Sequence, residues 1–135
     1  MGNKTFLDFL PTNFRHEKSY FIQNNLTDFE KLSNLTDSDI NEIQRKSQLC
    51  TLNNLKKIRT IAIFKKEISI SPPEAYLLLH CGIGSIKSLS TSTPHDLEGK
   101  IGRLERILRV KTETGITFAL LKTWIERAKQ ILKSI

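Results

Sequence analysis

The chain has 135 residues, a net charge of +7 and two cysteines, a size that suits one compact domain or two small ones sharing a core. Cys50 and Cys81 cannot build a disulfide framework, and neither lies at metal-site spacing from a second cysteine or a histidine, so a reducing, cytoplasmic setting without metal or cofactor is expected. No apolar run approaches the ~20 residues needed to span a bilayer, and the N-terminus lacks a basic-then-apolar signal, so neither export nor a membrane partner is expected.

The elements read as helix throughout. Asn13 is expected to cap a helix over about 14–24 with Tyr20 and Phe21 inward, and Thr27-Asp28-Phe29-Glu30 has the form of a capping box opening a short helix to Leu32. Thr36-Asp37-Ser38-Asp39 starts a third helix, to about Ser47. Thr51 caps a longer one that carries Leu52, Leu55, Ile58 and Ala62 at helical spacing. The stretch IRTIAIF is β-branched enough for a strand, but its apolar residues continue the i, i+3, i+4 stripe, and helix is expected there too. Ser71 and Glu74 form a capping box around Pro72 and Pro73 at the start of PPEAYLLLH. Residues 98–111, EGKIGRLERILRVK, and then LLKTWIERA complete the helical reading, with Trp124 expected as a core anchor.

Comparing the two halves exposes an internal repeat. At an offset of 57, Leu26, Phe29, Leu32, Ser33, Thr36 and Asp39 meet Ile83, Ile86, Leu89, Ser90, Thr93 and Asp96. At an offset of 66, TLNNLKKIRTIA from Thr51 meets TFALLKTWIERA from Thr117, so the second copy carries nine extra residues between the blocks. This alignment changes the meaning of Gly82-Ile83-Gly84, which on first sight looks like a phosphate cradle. Gly82 pairs with Asn25, and these are the residue types that most readily take the left-handed conformation after a helix. Gly84 pairs with Thr27, an expected N-cap. The motif therefore reads as a helix stop, an inward Ile83 and a helix start.

A helix, then Gly or Asn, an apolar residue, a short helix around KSL, Thr-Pro-His-Asp-Leu and a later LLKTWIERA together resemble the unit of helix-hairpin-helix-like (SAM-domain-like) proteins. The closest resemblance is to a bacterial family of uncharacterised proteins built from two such units, and it covers most of Lys18 to Gln130. It implies an all-α fold of two related units of four to five short helices packed together, one over 1–67 and the other over 68–135, with a basic insertion at about 99–115. It also places the family's Gly-x-Gly hairpin on Ser69-Ile70-Ser71, between LKKIRTIA and PPEAYLLLHCGI.

DNA-binding members of the wider class hold a phosphate with backbone N–H groups of that hairpin at a helix N-terminus. Here both glycines are serines, Pro72 and Pro73 remove two donors, and Glu74 puts a carboxylate where the phosphate would sit. The remaining basic feature is the series Arg103, Arg106 and Arg109, which drifts by roughly 60° per step and forms a stripe about opposite Leu104 and Leu108, extended by Lys100 and Lys111. These five residues are the candidate anion or nucleic-acid contacts.

Catalysis finds little footing. Adjacent helical positions point about 100° apart, so Cys81 and His80 make a poor nucleophile–base pair, and Asp37, Asp39 and Asp96 fit first-turn carboxylates better than ligands. The expected function is a non-enzymatic binding module with weak, sequence-independent nucleic-acid contact. The alternative is a protein-interaction scaffold, with an acidic protein as partner, that has lost its phosphate-binding hairpins.

Overall fold

The computed structural model describes residues 6–108 and 116–133. Two 3₁₀ turns, Phe6–Phe9 and Thr12–Phe14, lead into α1 (Arg15–Gln23), α2 (Phe29–Ser33), α3 (Asp37–Lys46), α4 (Leu52–Ile68), α5 (Pro72–His80), α6 (Ile86–Ser90), α7 (Pro94–Leu108) and α8 (Phe118–Lys133). The protein is all-α, with no strand among the described residues, and none of its described helices is long and apolar enough to cross a membrane. The chain divides into two compact units, Met1–Lys66 and Glu67–Ile135, so the boundary falls inside the last turn of α4.

In the first unit Phe14, Phe21, Leu32, Ile40, Leu55, Ile58 and Ala62 are fully buried. Burying each large aliphatic or aromatic side chain contributes roughly 1.5–3 kcal/mol. Arg59 reaches from α4 to the start of α3, donating to the Leu35 carbonyl at 3.2 Å and pairing with Asp37 at 2.9 Å. Asn13 does not cap α1. It lies in the 3₁₀ turn, and its carbonyl accepts from Asn54 Nδ2 at 3.0 Å, while Phe14 occupies the cap position without a side-chain acceptor. Besides the expected stripe, α4 buries Ile61, Phe64 and Ile68, a second i, i+3, i+7 series turned by about 120° from Leu55, Ile58 and Ala62.

In the second unit α8 packs on α6 and α7, and α5 packs on α7. Leu77, Leu78, Leu89, Leu97, Leu121, Trp124 and Ala128 supply its core, and Trp124 is the buried anchor its sequence position indicates. Arg127 on α8 donates to the Ile68 carbonyl at 3.0 Å and so ties the last helix to the turn ahead of α5.

Local hydrogen bonds recur between the units at the offsets read from the sequence. Asn25 (φ 58°) and Gly82 (φ 88°) both follow helix ends in the left-handed region. Leu26 N–H bonds Phe21 O at 2.8 Å and Ile83 N–H bonds Leu78 O at 3.0 Å, while Asn25 and Gly82 N–H groups bond Ile22 and Leu79 O. This is the pair of bonds that closes a helix when a left-handed residue turns the chain. The helices that follow start one residue later than expected. Asp28 and Ser85 cap them, not Thr27 and Gly84; Asp28 accepts from Glu30 N–H, and Ser85 forms a capping box with Ser88. Downstream, Thr36 and Thr93 cap α3 and α7, accepting from Asp39 and Asp96 N–H at 3.0 and 3.3 Å. Thr51 and Thr117 cap α4 and α8, each 3.1 Å from the N–H three residues on.

Candidate functional site

The turn at Ser69-Ile70-Ser71 has a geometry fixed by three residues. Ser69 sits at φ 65°, a left-handed conformation that costs a residue with a Cβ about 1–2 kcal/mol. Ile70 is fully buried and pins the turn to the second unit's core. Ser71 takes the N-cap position of α5 at φ −65°, ψ 151°, with the two prolines at the first helical positions. The expected capping box is absent. The Ser71 hydroxyl accepts no backbone N–H and donates instead to Glu74 Oε1 at 2.6 Å, while Glu74 itself is only 6 % exposed. The Glu74 N–H, the donor a capping box would use, makes no bond to the Ser71 oxygen, and the two side chains pair with each other instead. A phosphate approaching this helix start would meet two missing donors and a buried carboxylate.

The basic candidates divide into three groups. Lys100 and Arg103 line one cleft of about 340 Å³ together with His80, Cys81 and Leu104. On α7 the positions of Lys100, Arg103 and Leu104 are i, i+3 and i+4, hence one face. Leu104 therefore borders the same cleft as Arg103 and does not lie opposite the arginines as expected. Arg106 is exposed, but two steps of i+3 carry it roughly 120° from Lys100, and its Nη1 lies back over Gly102, 3.9 Å from where a Cβ would stand. Arg109 and Lys111 lie outside the described residues. Inward, Leu97 and Ile101 hold the buried side of α7 at 1 % and 2 % exposure, which fixes the helix rotation and keeps Lys100 and Arg103 at the surface.

His80 and Cys81 are the lining residues that sequence reasoning set aside. The 100° separation of neighbours holds only inside a helix, and α5 ends at His80. Cys81 already departs from helical geometry at φ −83°, ψ 0°, ahead of the left-handed Gly82. The helix stop that the Asn25–Gly82 correspondence revealed was the signal that could have brought the two side chains together. His80 is exposed and meets the Tyr76 ring edge-on, with ring centroids 4.5 Å apart. Burial pushes the Cys81 thiol above its ordinary pKa, with the Lys100 charge opposing the rise. The thiol is therefore a poor nucleophile at neutral pH.

Four cations of the first unit are held by carboxylates. There Lys18, Arg45, Lys46 and Arg59 each have a carboxylate partner: Asp8 at 3.6 Å, Glu42 for both Arg45 and Lys46, and Asp37. Among the described residues no carboxylate pairs with Lys100, Arg103 or Arg106. Sequence reasoning also missed a second cleft of about 300 Å³, where Phe118, Lys122 and Lys129 of α8 flank the N-terminus of α7 and Glu126 stands among them. Phe118 is 44 % exposed there and meets the His95 ring edge-on at 5.7 Å.

Fold and site together define a small all-helical chain with a cation-lined cleft on its second unit. Residues 11–131 match the family described as Domain of unknown function (DUF4332), and the chain belongs to that family. No curated protein and no solved structure matches it.

Proposed function

We propose that the chain is a non-enzymatic, cytoplasmic binding module of helix-hairpin-helix-like type, built from two related units. Its second unit makes weak, sequence-independent contact with nucleic-acid phosphates through Lys100, Arg103 and Arg106. The observation that carries this reading is the shared cleft of Lys100 and Arg103, two cations one helical turn apart without a carboxylate partner among the described residues. Such cations gain most from phosphate oxygens, because binding also releases condensed counterions from the nucleic acid. Salt dependence tests it. A labelled duplex titrated at several salt concentrations should lose affinity steeply as salt rises. Replacing Lys100, Arg103 and Arg106 with alanine should flatten the log–log slope by about 2–3, at roughly 0.9 for each phosphate that is no longer neutralised. Absence of binding at low salt overturns the reading.

A second reading is favoured by the Ser69–Ser71 turn. Two prolines and a buried Glu74 at the start of α5 oppose the class's usual phosphate contact, and a scaffold that binds an acidic protein would have no need of it. Co-purification of one stoichiometric protein that survives nuclease treatment supports this alternative.

A further inference from the structure

We infer that the cleft of His80, Cys81, Lys100, Arg103 and Leu104 is a pocket for a phosphomonoester, the doubly charged terminal phosphate of a strand end or small metabolite, in preference to the diester backbone of a duplex. The inference rests on the reading of Lys100 and Arg103 as anion contacts and adds which phosphate they take. A diester backbone is followed by cations strung along a surface, as the stripe Arg103, Arg106, Arg109 was expected to be. Of its described members, Arg103 lines the cleft beside Lys100 and Arg106 does not. Two cations at i and i+3 converge on one concave space, and two positive charges match a dianion better than a single diester charge.

The remaining walls suit the same ligand. The cleft's 340 Å³ falls at the lower end of the range of small-molecule pockets. Leu104 supplies an apolar side, which lowers the local dielectric and strengthens the ion pairs. His80 lines the cleft from the end of α5, its ring edge-on to Tyr76. Because burial keeps the Cys81 thiol neutral, it adds a weak S–H donor and no negative charge to repel the ligand. The carbonyls at the end of α5, which would repel an anion, are largely occupied: Leu77, Leu78 and Leu79 all accept N–H groups from Cys81, Gly82 and Ile83.

Three probes of the full chain test the pocket: inorganic phosphate, and a short single strand carrying either a 5′-phosphate or a 5′-hydroxyl. NMR should show saturable shifts of the His80 ring and Cys81 amide with inorganic phosphate. By anisotropy, the phosphorylated strand should bind about tenfold more tightly than its hydroxyl twin, as expected for one added charge-assisted contact. Lys100→Ala with Arg103→Ala should erase that preference. Lys56→Ala with Lys57→Ala, an equal loss of charge on exposed positions of the first unit, should keep it. Equal affinity for the two strands overturns the pocket while leaving general phosphate binding intact. Phosphate shifts without strand binding keep the pocket as a small-anion site and overturn the nucleic-acid reading. Absence of shifts with every probe overturns both.

Discussion

In the first unit Glu17, 1 % exposed on α1, has both oxygens engaged: Oε2 accepts the Thr51 N–H at 2.8 Å and Oε1 the Asn54 amide at 3.3 Å. In the second unit Glu74, 57 residues on, is nearly as buried, but Oε1 accepts only the Ser71 hydroxyl and Oε2 meets no donor among the described residues. The first glutamate buckles α1 to the capped start of α4. The second is held within its own helix start. One residue type at corresponding places thus acts as a tertiary clasp in one unit and as a local partner in the other. What decides between them is whether a helix start with orphan N–H groups lies within reach.

The largest expected effect tests that contrast with an isosteric change. Glu17→Gln turns one acceptor into a donor that faces the Thr51 N–H or the Asn54 amide, and should cost about 1.5–3 kcal/mol, the range for a hydrogen bond to a charged group. Glu74→Gln keeps a carbonyl oxygen for Ser71 and has only that one bond to weaken, so it should cost less than Glu17→Gln, about 0.5–1.5 kcal/mol. Urea titrations followed by far-UV circular dichroism measure both. The single tryptophan, Trp124, reports the second unit by fluorescence. Equal costs for the two substitutions would break the comparison.

The stop turns give a smaller contrast. Gly82 stands at φ 88° with open space around its missing Cβ, so Gly82→Ala should cost about 1–2 kcal/mol from backbone conformation alone. At the matching position Asn25 already tolerates φ 58°, and Asn25→Gly should change stability by less than about 1 kcal/mol. If Gly82→Ala proved neutral, the left-handed turn would not be what ends α5.

Much of this was legible in the sequence, because caps and stops are local chemistry. Asn25, Gly82, Thr36, Thr51 and Thr117 act within three or four residues of themselves, and the structure places them as the sequence indicates. The one-residue shift at Asp28 and Ser85 shows the limit, since two neighbouring residues were both competent caps and both units chose the second. Clefts were much less legible. Lys100 and Arg103 share a face by spacing, but their meeting with His80 and Cys81 depends on how α5 packs on α7, which no local pattern encodes. The Glu17 clasp is also non-local. Thirty-four residues separate its carboxylate from the Thr51 N–H it receives, and nothing in the spacing of either residue signals the contact. The Ser71–Glu74 pair failed for a different reason: the motif was present, but its two side chains bonded each other and not the backbone N–H groups of the helix start.

The smallest contrast lies between α3 and α7, helices of 10 and 15 residues that each start at a threonine cap. The longer helix, α7, carries Gly99 and Gly102 in its interior, where α3 has no glycine. An interior glycine weakens a helix by about 0.5–1 kcal/mol relative to alanine, because more backbone freedom is lost on folding. Nothing lies within 4 Å of a Cβ built at Gly99, whereas one at Gly102 would touch Arg106. Gly99→Ala should therefore stabilise the protein by about 0.5–1 kcal/mol in urea, without disturbing the Arg106 side chain. It should also leave the cleft unaltered in shape, because Lys100 and Arg103 keep their places on the α7 face. A Gly99→Ala protein no more stable than its parent would show that α7 is not helical around Gly99 in solution. Lys100 and Arg103 would then lose the one-turn spacing that brings them together.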